Sequence, residues 1–200
     1  DSNVGWSKGH SNSYLSWMWK RHAGFDVITY AGVSATRTIR HNMGIAPEMM
    51  WIKSRTSSSQ EWRVYHKGLN GGTNPHHYRL NLNDNGAESN IGAGGMWEIP
   101  TDTSITLHSN GSVNFNSNNF IAMLFASVNG ISKVGYYDGQ NSTKSITTGF
   151  QPRFLLIKNR TTANQPWSVF DSVRGFTGGN DQQLKLNETV AQLSAAVSYT

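Results

Sequence analysis

The 200-residue sequence contains no cysteine. That excludes disulfide staples, thiolate metal sites and a cysteine nucleophile. It fits a protein assembled in a reducing compartment. Charge is also scarce, at 14% of residues against the roughly 25% usual for soluble domains. The net charge of +5 is spread singly along the chain, with Lys20-Arg21 and the Arg37/Arg40 pair as its densest spots. A nucleic-acid binder concentrates its basic residues on one face or in one run, so no nucleic-acid partner is expected. No stretch of 18 apolar residues exists, so no membrane insertion is expected either. The polar run from Asp1 does not read as a signal peptide.

Ser, Thr, Asn and 20 Gly fill the space left by charge, with 7 Trp among them. This is the composition of a turn-rich β protein. Tyr14–Trp19 is a short aromatic strand, and "DVITYAG" (26–32) is β-branched and closes on glycine. Met49-Met50-Trp51-Ile52 follows a proline as a continuous apolar run, the pattern of a strand buried on both faces. Trp62/Val64 and Tyr78/Leu80/Leu82 alternate with polar residues, as half-buried strands do. Ile105/Leu107 and Val113/Phe115 flank Asn110-Gly111 and predict a hairpin. Phe120–Val128 is a further apolar run, and "ETVAQLSAAVSYT" at the end has helical spacing through Val190, Leu193 and Val197.

The chain repeats itself. Gly44–Val64 aligns without a gap on Gly149–Val169 with nine identities in 21 positions, among them Pro47/Pro152, Lys53/Lys158, Arg55/Arg160, Gln60/Gln165 and Trp62/Trp167. "LNLND" (80–84) lies on "LKLNE" (184–188), and "YLSWMWKRHAG" (14–24) on "FIAMLFASVNG" (120–130). The unit is about 105 residues. Residues 1–24 hold the terminal strand of one unit, 25–130 a whole unit, and 131–200 an incomplete one that lacks any counterpart of 91–119. Either the N-terminal strand completes the second unit, or the chain is cut from a longer array. The expected fold is all-β: a sandwich or jelly-roll of two related units with a pseudo-two-fold internal repeat. Pro47, Trp62, Pro152 and Trp167 are its expected repeated core.

Motifs that carry chemistry are weak. "GWSKG" (5–9) matches a nucleophile elbow without the strand and helix that would make it one. His76-His77 are adjacent, so on a strand they would point to opposite faces and not share a metal. "NLNDNGAE" (81–88) begins like a calcium loop but would place Gly92 where the bidentate glutamate belongs. No two carboxylates are spaced to face each other across a groove as a glycosidase requires. No catalytic residue, metal or cofactor is therefore expected, and no enzyme. Features absent from the second unit are where a specific function would sit: His76, His77, Tyr78, Asp84, Asn85 and Trp97, together with Trp6 and Met96. Exposed aromatics beside Asn and Asp groups suit sugar stacking.

Together, "YLSWMWK", "GFDVITYAG", "GIAPEMMWIKSR", "NFIAMLFASVNG" and "GFQPRFLLIKNRT" resemble a repeat module of tailed-bacteriophage structural proteins, notably from phages of cyanobacteria and marine bacteria. The resemblance runs from Tyr14 to Thr200; a cysteine of the family's strand is replaced by Met18 and Leu124. These modules often adjoin laminin-G-like lectin domains. The resemblance implies a virion protein at the tail or capsid surface, assembled in the host cytoplasm. It would contact other virion proteins and a host-surface polysaccharide, as a homo-oligomer, most simply a trimer. The alternative is an architectural decoration or adaptor protein that binds only virion partners.

Overall fold

The computed structural model describes residues 16–176 and 181–194. Its strands are β1 (Phe25–Ala31), β2 (Arg37–Arg40), β3 (Met49–Ser54), β4 (Arg63–His66), β5 (Tyr78–Asn81), β6 (Ser89–Asn90), β7 (Ser104–Leu107), β8 (Asn119–Phe125), β9 (Phe154–Ile157), β10 (Ser168–Asp171), β11 (Gln182–Lys185) and β12 (Leu193–Ser194). Two short 3-10 turns, Leu69–Gly72 and Pro75–His77, are the only helical elements among the described residues. The protein is all-β.

Three antiparallel sheets form. One has six strands in the order β1-β8-β3-β4-β5-β6, one has four in the order β12-β11-β10-β9, and β2 pairs with β7. Strand pleat explains how they stack, because neighbouring residues point to opposite faces. Met50, Ile52, Tyr65, Phe120, Ala122 and Leu124 face one way and pack with Ile105, Leu107, Trp97 and Val113. Trp51, Val64 and Leu80 face the other way and pack with Trp167 and Leu156 of the four-stranded sheet. The six-stranded sheet is thus a middle layer covered on both faces, which is why β3 reads as an unbroken apolar run.

The four-stranded sheet follows the same plan as half of the six-stranded one. Met49 pairs with His66, and Phe154 pairs with Asp171, each residue shifted by 105 positions. Arg63 pairs with Asn81 as Ser168 pairs with Lys185, and Tyr78 pairs with Asn90 as Gln182 pairs with Ser194. Two repeated bonds explain repeated residues. Trp62 N–H donates to Asn83 Oδ1 at 3.0 Å, and Trp167 N–H to Asn187 Oδ1 at 2.8 Å. The Lys53 ammonium donates to the Gln60 carbonyl, as Lys158 does to that of Gln165.

Several expectations need correction. Residues 110–114 form a turn in which Val113 and Asn114 N–H donate to the Asn110 carbonyl, and β7 pairs instead with β2, so the hairpin about Asn110-Gly111 does not form. No helix occurs over 188–194; Leu193–Ser194 is a strand paired to β11. Ser16–Lys20 joins no ladder, although the rings of Trp17 and Trp19 rest on Phe154. Of the expected repeated core, Pro47 and Trp167 are buried, whereas Trp62 and Pro152 are only half-buried. Trp6 and the elbow-like Gly5–Gly9 lie outside the described residues.

Candidate functional site

The six residues singled out from sequence do not converge. Tyr78 packs into the core between the six- and four-stranded sheets, whereas Trp97 is fully buried on the opposite side of the six-stranded sheet. A whole sheet separates them, so they cannot line one site, and Trp97 offers no face to a ligand. His76 and His77 sit on the 3-10 turn before β5 with rings 4.2 Å apart and edge-on. Burial, then the neighbouring His77, lowers the pKa of His76. Asp84 accepts from Asn81 Nδ2 at 2.5 Å and from Gly86 N–H at 2.9 Å. The Asn85 carbonyl accepts from Gln165 N–H at 3.2 Å. These last two residues hold the β5–β6 loop in shape and against the second unit. The Asp84 carboxylate acts through its side chain, and Asn85 through its main-chain carbonyl.

A second constellation drew on no sequence signal. Thr36 Oγ1 lies 3.1 Å from His108 Nδ1, and His108 Nε2 lies 2.7 Å from Glu98 Oε1. The order hydroxyl–imidazole–carboxylate resembles a nucleophile relay. Thr36 is exposed and the Glu98 side chain is 47% exposed, so the line is open to water.

An open polar concavity lies on the four-stranded sheet. A groove of about 430 Å³ is lined by Ile157, Asn159, Asn164, Gln165, Pro166, Ser168, Gln183 and Lys185. Leu156 and Trp167 point into the inter-sheet core, so pleat turns Ile157 and Ser168 to the outer face. Gln183 Nε2 donates to Ser168 Oγ at 2.5 Å, across β10 and β11. Lys185 is held by Glu188 at 3.0 Å. Lys158, its pKa lowered by burial, directs its ammonium at the Gln165 carbonyl at 2.7 Å. The surface left is amide, hydroxyl and aliphatic, with its ammonium groups already partnered.

The same place in the first unit is closed. There Ile52 is buried, and Ser112 Oγ, from the turn at 110–114, donates to Gln60 Oε1 at 2.7 Å and accepts from Arg63 Nη2 at 3.0 Å. Arg63 and Arg79 both donate to Asn81 Oδ1, at 2.6 and 2.7 Å. In the second unit Ile157, Gln165, Ser168, Gln183 and Lys185 stand where Ile52, Gln60, Arg63, Arg79 and Asn81 stand in the first. Residues 91–119, which supply the covering turn, have no counterpart there. Among the described residues the groove is therefore a core-flanking surface left uncovered, with two arginines exchanged for a hydroxyl and an amide. Sequence reasoning missed it because it looked for function in the extra segment, not in the place where its equivalent is missing.

No curated protein and no solved structure matches the chain. A family profile matches residues 2–199, nearly its full length. The chain belongs to the family described as Domain of unknown function (DUF7483).

Proposed function

We propose that the protein is a phage virion structural protein that contacts a host-surface polysaccharide, and that its role is binding rather than catalysis. The carrying observation is the open groove, whose amide and hydroxyl groups offer both donors and acceptors to sugar hydroxyls beside the aliphatic faces of Ile157 and Pro166. The resemblance to tail and virion repeat modules supplies the biological setting. Magnitudes set the mode of action. Three or four net hydrogen bonds of about 1 kcal/mol each correspond to millimolar affinity. One such site is useless alone and effective when a homo-oligomer, most simply a trimer, presents several copies together.

Binding of the isolated protein to host bacterial cells and to polysaccharide stripped from them tests this reading. Saturable binding to both is expected; absence of binding to either contradicts it. A second reading, an architectural adaptor that binds only virion proteins, is favoured by one observation. Ile131, Tyr136, Tyr137 and Ile146 are exposed along one connecting segment. Binding to purified virion components with none to cells would support that alternative.

A further inference from the structure

Among the described residues β9 pairs only with β10 and ends its sheet. Its sequence is Phe-Leu-Leu-Ile, and all four residues are half-exposed. A flat apolar edge of this kind templates edge-to-edge association unless something covers it. The corresponding edge of β3 is covered: β8 pairs along its whole length, from Met49 opposite Phe125 to Ser54 opposite Phe120.

We propose that Ser16–Trp19 of the same chain, which stands beside β9 without ladder hydrogen bonds in this structure, closes onto the β9 edge in solution as β8 closes that of β3. Three observations name this occupant. Tyr14–Gly24 aligns without a gap on Phe120–Gly130, which contains β8, and both segments end on a glycine with a left-handed backbone, Gly24 at φ 81° and Gly130 at φ 74°. Trp17 and Trp19 already stand at the edge, their rings 5.8 and 5.7 Å from that of Phe154. They also point the right way. Their counterparts Met123 and Phe125 face the core between the two large sheets, and Trp19 reaches Trp51 and Phe125 across that core. Carrying the β3–β8 register over sets Trp19 opposite Phe154, Met18 opposite Leu155 and Ser16 opposite Ile157. Met18, 71% exposed, then lies on the outer face beside Leu155.

The absence of native cysteine makes the test direct. Opposed strand residues have Cα atoms about 4.5–5.5 Å apart, within disulfide reach. Met18→Cys with Leu155→Cys in the full chain is expected to give an intrachain disulfide on mild oxidation. The off-register pair Ser16→Cys with Phe154→Cys is expected to give none. Equal crosslinking of both pairs overturns the register, and a disulfide-linked dimer overturns the same-chain assignment in favour of strand exchange between copies. Hydrogen exchange on the unmodified chain provides a second readout. Amides of Ser16–Trp19 should be protected to the degree seen in β8, and exchange at the rate of an unpaired segment overturns the proposal.

Discussion

The indole N–H of Trp167 donates to the carbonyl oxygen of Asn81 at 2.8 Å, joining the four-stranded sheet to β5 of the six-stranded one. Around it Glu88 N–H donates to the Arg160 carbonyl at 2.6 Å, and the Arg160 guanidinium meets the Glu88 carboxylate at 2.7 Å. The first unit's β5–β6 loop is thus pinned to the second unit by main-chain and charged bonds, at the rim of a core in which Trp167 is 4% exposed.

Replacing Trp167 should separate these effects. Trp167→Phe keeps a ring in the core but leaves the Asn81 carbonyl without its indole donor, at a cost of about 1–3 kcal/mol. Trp167→Ala adds a cavity and should cost about 3–5 kcal/mol. Trp62→Ala, at a half-buried site, should cost clearly less. Urea unfolding of the three variants checks the ranking; equal losses at Trp62 and Trp167 would contradict it.

Asn83 and Asn187 hold the backbone of Trp62 and Trp167 in the same way. Asn83→Ala and Asn187→Ala should therefore each lose about 1 kcal/mol, measured by the same unfolding. A loss at one site only would show that the two bonds are not equivalent.

Arg160 is the charged link between units. Arg160→Ala leaves the largely buried Glu88 carboxylate with the Asn70 N–H, 2.8 Å away, as its remaining partner. A loss of about 1–3 kcal/mol is expected, most of it absent when Glu88→Gln is already present. Arg55→Ala, at the equivalent exposed position, should change stability by less than about 0.5 kcal/mol. A double-mutant cycle with no coupling between Arg160 and Glu88 would refute the link.

Acid should weaken the fold in two steps. His66 is held down at about 4, first by burial and then by the Lys67 ammonium, with the Glu48 carboxylate opposing. Between that value and the unfolded value of about 6.5, only the unfolded chain binds the proton. Stability is therefore whole above pH 6.5 and falls as pH drops toward 4. Burial acts to raise the Glu48 and Asp26 pKa values, but bonds from Lys67 and Ser127, and from Arg21 and two backbone N–H groups, outweigh it and lower both. Their contribution is lost below about pH 4. Urea midpoints at pH 7 and 4.5 should differ by more in the wild type than in His66→Gln; identical differences would contradict the assignment to His66.

The strand plan was legible because pleat writes itself into sequence. Met49–Ile52 is continuous since both faces meet apolar side chains, and Tyr78/Leu80 alternate since the other face of β5 carries Arg79 and Asn81 in a polar network. What was hidden depends on partners far along the chain. Arg37–Arg40 carries little apolar signal, and becomes a strand because Ile105 and Thr106 lie opposite. Asn110-Gly111 reads as a hairpin, but Ser112 is drawn to Gln60 and Arg63 instead. Trp97 stands out in sequence because the second unit has no counterpart of it; in the fold the buried Leu107 and Tyr65 beside it enclose it. The groove left no motif at all, since its residues are ordinary amides whose meaning comes from a missing cover.

The central claim is that this uncovered groove is the ligand site, and restoring its cover chemistry tests it most directly. Ser168→Arg reinstates the first unit's residue and fills the groove without touching the inter-sheet core. Titration of host polysaccharide against wild type and Ser168→Arg, with thermal unfolding of both as the control, should show binding weakened at least about tenfold, about 1.4 kcal/mol, at unchanged stability. Undiminished binding by a folded Ser168→Arg protein would contradict the account.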